Sequence, residues 1–173
     1  LAFCKEAIVE EFVSGREISV ETLSGNGNHC ILTMTDKITS GVPHFVELAH
    51  HQPAQLDEET EIEIRRQTQI GLDALLIRHG ASHSEFLITA DNKVYITEIG
   101  GRMGGDFIGS DLVRLSTNYD FVRGVIEVAL GEFREPIIQN YRCSGVWFYS
   151  VHTPQVRDYI RESRKYPYIV QAE

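Results

Sequence analysis

Ser84-Glu85-Phe86-Leu87-Ile88-Thr89-Ala90-Asp91-Asn92-Lys93-Val94-Tyr95-Ile96-Thr97-Glu98-Ile99 is two short apolar runs on either side of Asp91-Asn92. Runs of this length, broken by residues that tolerate turn geometry, predict a β-hairpin. With Asp91-Asn92 as a two-residue turn, Thr89 faces Val94, Ile88 faces Tyr95, Leu87 faces Ile96 and Phe86 faces Thr97. The apolar partners predict a hairpin buried on both faces. The same register sets Glu85 directly opposite Glu98, and like charges so placed destabilise a sheet. Three arrangements tolerate the pair. One carboxyl can hold a proton, both can splay into solvent at a frayed end, or a divalent cation can bridge them.

The residues beyond the hairpin favour the cation. Gly100-Gly101-Arg102-Met103-Gly104-Gly105 exposes backbone and places Arg102 four residues after Glu98. Magnesium takes one or two carboxylates and completes its octahedron with waters and phosphate oxygens. A nearby arginine holds remaining anionic charge. Two carboxylates, an arginine and glycines together suit a nucleoside triphosphate.

Upstream, Glu17 to Leu23 alternates as a half-buried strand. Gly25-Asn26-Gly27-Asn28 is a hairpin turn, and His29 to Thr35 is the returning strand. Glu6 to Val13 is short, apolar and strand-like. Residues 37 to 56 show no sustained period and read as a long excursion. Asp57 to His79 reads as a helix, with Asp57 as N-cap, acidic residues in its first turn, Gly80 at its exit and Ile62, Ile70, Ala74 and Ile77 on its apolar face. Helical segments follow around 106–115 and 120–130, stopped by Gly131. Val146 to Val151 reads as a fresh strand. The expected fold is α+β, an antiparallel sheet with helices on one face. The expected division is a lobe at 1–135 and an incomplete C-terminal subdomain at 136–173.

The 173 residues carry 25 acidic and 16 basic side chains, a formal charge of -9. A nucleic-acid or anionic-membrane partner needs a basic face, so this balance argues against both. No apolar run reaches the roughly 18 residues of a membrane span. Cys4, Cys30 and Cys143 are odd in number and far apart, which points away from a disulfide framework and toward a reducing cytoplasm. The opening Leu1-Ala2-Phe3 suggests a piece of something longer. His44, His50, His51 and His83 match no zinc spacing, whereas His83, two residues before Glu85, can share its face as a supporting partner.

At this point residues 6 to 131 resemble the ATP-grasp superfamily. Glu85 in HSEF looks like the family's first magnesium-binding carboxylate, Glu98 in TEIGGRMGG like the second, and Arg102 like the catalytic arginine that follows. Val9-Glu10-Glu11-Phe12-Val13-Ser14-Gly15-Arg16-Glu17 resembles the adenine-binding linker. The resemblance implies that Glu10 and the backbone of Glu11 and Val13 read the adenine edge, that Glu17 accepts the ribose hydroxyls, and that Lys37 lies near the phosphates. It implies ATP and Mg2+ (or Mn2+) as cofactors.

Within the superfamily, TDKITSGVPHFVELAHHQPAQL and EIGGRMGGDFIG are most similar to L-amino-acid ligases and carbamoyl-phosphate-synthase-like proteins. The implied function is a carboxylate–amine ligase working through an acyl phosphate, with small-molecule carboxylate and amine substrates. Bicarbonate-using relatives of the biotin-carboxylase kind, or a nucleotide-binding module without catalysis, are the alternatives. Gly100 stands where many relatives carry a metal-ligating asparagine. The family's N-terminal lobe has no counterpart in this sequence, so the isolated chain is expected to be inactive, a homo-oligomer being possible.

Overall fold

A computed structural model describes residues 6–138 and 142–172; Cys4 and the opening Leu1-Ala2-Phe3 lie outside the described residues. The strands are β1 (Arg16–Gly25), β2 (Asn28–Thr39), β3 (Glu47–Gln52), β4 (Gly80–Ile88), β5 (Val94–Gly100) and β6 (Ser144–Trp147). The helices are α1 (Glu58–Ala74), α2 (Val113–Thr117), α3 (Phe121–Ala129) and α4 (Val156–Arg161), with a π-helical turn at Ile108–Leu112 running into α2 and a short 3-10 turn at Ser163–Lys165.

All six strands form one antiparallel sheet in the order β5-β4-β1-β2-β3-β6. The β1–β2 hairpin turns as expected at Asn26 and Gly27, both with positive φ. The excursion expected at 37–56 is instead the end of β2, a turn, and β3, which pairs back on β2 with Lys37 opposite His50. Ser144–Trp147 extends this same sheet by pairing with β3, where the sequence suggested a separate subdomain. Glu6 to Val13 forms no strand and is largely exposed.

The sheet is covered on both faces, not one. Side chains alternate along a strand, so Ile18 and Val20 of β1 point one way and Leu23 the other. Ile18 and Val20 pack with Met34, Phe86, Ile88 and Ile64 of α1. Leu23 packs with Leu32, Ala81, Val113 of α2, and Phe121 and Val128 of α3. β1, in the middle, is consequently buried from Ile18 to Gly25.

Asp57 caps α1 as its sequence predicts, accepting hydrogen bonds from the Thr60 backbone N–H at 2.9 Å and hydroxyl at 2.8 Å. The helix ends at Ala74, earlier than expected, and Leu76 rather than Gly80 takes the left-handed conformation at its exit. Its buried stripe is Thr60, Ile64, Thr68 and Leu72, whereas Ile62 and Ile70 are exposed. The expected four-residue step is present on a different face.

Candidate active site

The face of β1 that carries Leu23 also carries Glu17, Ser19 and Glu21. Strand pairing lines up further polar groups on that face. Glu17 lies opposite Lys37 of β2, Glu21 opposite His83 of β4, and Ser19 opposite Glu85. Glu85 in turn lies opposite Glu98 of β5, as the hairpin register predicts. The route to that pairing differs from the simple two-residue turn. The turn spans Thr89 to Lys93, closed by the Thr89 N–H on the Lys93 carbonyl at 3.0 Å. A bulge between Glu85 and Phe86 absorbs the one-residue offset, so Phe86 faces Ile96 rather than Thr97. β5 is an edge strand with Tyr95 and Ile96 exposed, so the hairpin is not buried on both faces.

Lys37 organises the centre of the site. Its Nζ donates to Glu85 Oε1 at 2.6 Å and lies 2.9 Å from Glu47 Oε1. Burial alone would lower its pKa, but these two carboxylates outweigh burial and raise it, keeping the ammonium charged. Glu85 Oε1 also accepts from His83 Nε2 at 3.0 Å. That contact is the first cause holding the Glu85 carboxyl at about 2, against burial and with help from Lys37. Burial pushes Glu17 up, opposed by the Lys37 charge and reinforced by Glu85. Glu17, Lys37, Glu85 and Thr97 line a pocket of about 200 Å³. A larger hollow of about 390 Å³, beside Asp57 and Thr60, is lined by none of the predicted site residues, although Ser14, Gly15 and Arg16 of the linker stretch border it.

Glu98 is on the exposed rim, with Arg102 Nη2 3.6 Å from its Oε1. Arg102 also donates to the Met103 carbonyl at 3.0 Å. The structure therefore gathers Glu17, Lys37, Glu85, Glu98 and Arg102 along one side of the sheet. Glu10, Glu11 and Val13 are in the irregular segment before β1, with Glu10 and Glu11 exposed. Among the described residues no hydrogen bond or ion pair joins them to this group.

The hard carboxylate oxygens suit magnesium. Both protein donors to Glu85 take the same oxygen, Oε1, and none is found on Oε2 among the described residues. Glu98, one strand over, has a longer arginine contact as its one ion pair among the described residues.

Sequence reasoning missed several polar groups here. Glu47, His50 and Asp106 converge, with one ligand-type atom from each within 4.8 Å of the others. His50 Nε2 is 3.4 Å from Glu47 Oε2, and this neighbour is the first cause that drives the Glu47 carboxyl well below the usual range. The neighbouring Glu47 carboxylate is the first cause that raises Asp106, with burial adding to it. Lys37 Nζ engages the other Glu47 oxygen, so the cluster adjoins the Lys37–Glu85 pair. Glu21 was missed as well. It is fully buried, in contact with His83 Nδ1, and its Oε2 accepts the Gly104 N–H at 3.0 Å. The signal for it was available in the alternation of Glu17, Ser19 and Glu21 along β1.

Residues 3–111 match the ATP-grasp domain family. No curated relative matches the sequence. Among solved structures, an L-amino acid ligase from Bacillus licheniformis is similar at 32% identity and TM-score 0.73, over 81% of this chain and 36% of that one. Biotin carboxylase from Campylobacter jejuni, in complex with βγ-ATP, matches at 21% identity and TM-score 0.66, over 79% of this chain and 30% of its own. Phosphoribosylglycinamide synthetase from Anaerococcus prevotii matches at 17% identity and TM-score 0.68, over 78% and 35%. The last two likenesses concern the fold alone. The chain spans about a third of the length of these relatives. No helix among the described residues is long and apolar enough to cross a membrane. By its sequence match and its sheet, the chain belongs to the ATP-grasp family, whose members are ATP-dependent ligases.

Proposed function

We propose that this chain contributes the nucleotide and metal side of the active site in an ATP- and Mg2+-dependent carboxylate–amine ligase of the amino-acid-ligase type. The observation that carries the reading is the Glu85–Glu98 pairing, with Lys37 on the first carboxylate and Arg102 beside the second. Glu85 and Glu98 would hold the magnesium ion. When bound, that ion supplies positive charge to the polyphosphate as a phosphoryl group is transferred.

The chain's own residues do the rest by position and charge. Lys37 fixes one Glu85 oxygen and brings a buried positive charge to the pocket floor. Arg102, exposed on its glycine-rich turn, is free to exchange Glu98 for an anionic substrate oxygen. Glu17, half-buried at the pocket wall, is placed to accept from ribose hydroxyls. Glu10, Glu11 and Val13 supply a linker that would close over the adenine.

In the proposed reaction a carboxylate oxygen of the first substrate attacks the γ-phosphorus of ATP and ADP leaves. The amine nitrogen of the second substrate then attacks the acyl carbon, phosphate leaves and the amine proton passes to solvent. Donors already set around the developing negative charge lower both barriers electrostatically. The identity of 32% with an amino acid ligase favours amino acids as the two substrates.

The test is phosphate release by the full-length protein, screened over pairs of amino acids, with Glu98→Gln as control. Release that needs both an amino-acid carboxylate and an amine, and is lost in Glu98→Gln, supports the reading. Release driven by bicarbonate alone moves the protein to the carboxylase-like branch. No turnover with any pair leaves a nucleotide-binding module.

A further inference from the structure

A carboxylate and an imidazole are buried side by side beneath the candidate site. Glu21 has no exposed surface and His83 is 2% exposed. Taking a carboxylate out of water is costly, and apolar residues of like volume commonly serve stability as well as a buried pair or better. The pair is also connected at both ends. His83 Nδ1 meets Glu21 Oε1 while its Nε2 meets Glu85 Oε1 at 3.0 Å. The second Glu21 oxygen accepts the Gly104 N–H at 3.0 Å, and Gly104 belongs to the turn that carries Arg102.

Space around Gly104 shows how closely the turn sits on the pair. A Cβ there would fall 2.6 Å from Glu21 Oε1, 2.8 Å from His83 Nδ1 and 2.9 Å from Ile108 Cγ2. Gly104 has no left-handed backbone requirement, since it is not among the glycines of positive φ. Its lack of a side chain matters for the approach itself.

We propose that Glu21 and His83 are positioning residues that fix the Glu85 carboxylate for the metal and tie the Arg102 turn to the same frame. The path is continuous: Gly104 N–H to Glu21, Glu21 to His83, His83 to Glu85. His83 and Lys37 both engage Glu85 Oε1, so the carboxylate is held in one rotation with Oε2 presented to the cation. Residues behind a metal carboxylate commonly change metal affinity 10–100-fold when replaced. The inference rests on the reading of Glu85 and Glu98 as metal ligands.

The experiment measures Mn2+ binding to the full-length protein by the loss of the free-ion electron paramagnetic resonance signal, alongside a thermal melt. The variants are Glu98→Gln, Glu21→Gln, His83→Gln, Gly104→Ala and Ile64→Val. Ile64 is buried on the opposite face of the sheet, so Ile64→Val lowers stability without touching the chain of contacts. Expected is a rise of about 10-fold or more in the Mn2+ dissociation constant for Glu21→Gln and Gly104→Ala, and none for Ile64→Val. His83→Gln, which can still donate to Glu85, should lie between wild type and Glu21→Gln. If Glu98→Gln loses Mn2+ but Glu21→Gln and Gly104→Ala bind as wild type, the positioning role is overturned while the metal site stands. If wild type binds no Mn2+, the metal reading and this inference fall together. Should Glu21→Gln not fold, Gly104→Ala, at the partly exposed turn, decides alone.

Discussion

Lys37 Nζ, on β2, lies 2.6 Å from Glu85 Oε1, on β4, across the intervening β1, and the same ammonium reaches Glu47 at 2.9 Å. It is the only positive charge in contact with these two carboxylates other than histidine, among the described residues. Lys37→Met keeps most of the apolar stem and removes the charge. Glu47 and Glu85 then face a partly buried space with no ammonium between them, an uncompensated arrangement that costs more than a surface pair. The expected loss is about 2 kcal/mol, seen as a lower urea midpoint with unchanged m-value. An unchanged midpoint would show that the carboxylates relax into solvent at no cost.

His83 gives the protein an alkaline limb of stability in the absence of metal. Burial alone pulls its pKa down, but the hydrogen bonds with Glu21 and Glu85 outweigh it and carry the imidazole from 6.5 to about 9. A group whose folded pKa is raised contributes stability that is complete below its unfolded value. That contribution is lost as pH climbs through the folded value. In chelator-treated protein, unfolding free energy should therefore fall between pH 6.5 and about 9, by on the order of 3 kcal/mol. The lowered pKa of Glu85 is the same contact seen from its partner, so the two are not summed. Denaturant titrations at several pH values measure the limb, and His83→Gln should flatten it.

The hairpin that decides the fold was legible because its chemistry is local. Asp91-Asn92 marks its turn, as Asn26-Gly27 marks that of the β1–β2 hairpin, and Glu85 opposite Glu98 followed from counting residues. The count succeeded although the β4–β5 turn is longer than a two-residue turn, because the bulge at Glu85/Phe86 takes up the offset. β3 was illegible because its buried residues include His50 and Gln52, which hydropathy reads as solvent-facing. Gln52 is buried because Thr35 and Ser116 satisfy its amide, at 2.9 and 3.0 Å, and neither is near it in sequence. The convergence of Glu47, His50 and Asp106 depends on β3, so it was hidden with it. Glu10, Glu11 and Val13 lie in a segment that has no strand pairing of its own, so no register fixes where they face.

Gly27, in the β1–β2 turn, is a residue whose backbone makes a side chain costly. Its φ of +83° lies in the region that glycine alone enters freely, and Asn26 before it sits at +55°. Space is also limited, with Arg78 Nη2 3.1 Å from where a Cβ would sit. Gly27→Ala should therefore destabilise by about 1–2 kcal/mol. Gly101→Ala, at a position with open space and no positive φ, is the control expected to leave thermal stability unchanged.

α1 offers a direct comparison of hydrophobicity with burial. Ile62 and Ile70 are isoleucines at helical spacing, yet they are 58% and 53% exposed, whereas Ile64 and Leu72 are fully buried. The buried stripe is completed by Thr60 and Thr68, whose hydroxyls are satisfied by Asp57 and by the Ile64 carbonyl at 2.8 Å. That internal bonding lets threonine occupy the core-facing side of the helix and leaves isoleucine outside. Ile62→Ala and Ile70→Ala should change stability by less than about 0.5 kcal/mol, since helix propensity favours alanine and little packing is lost. Leu72→Ala and Ile64→Ala should each cost about 2–5 kcal/mol, because neighbours on the sheet fill the vacated volume only in part. Equal losses at all four positions, measured by chemical denaturation, would mean that Ile62 and Ile70 are covered in the protein by another surface.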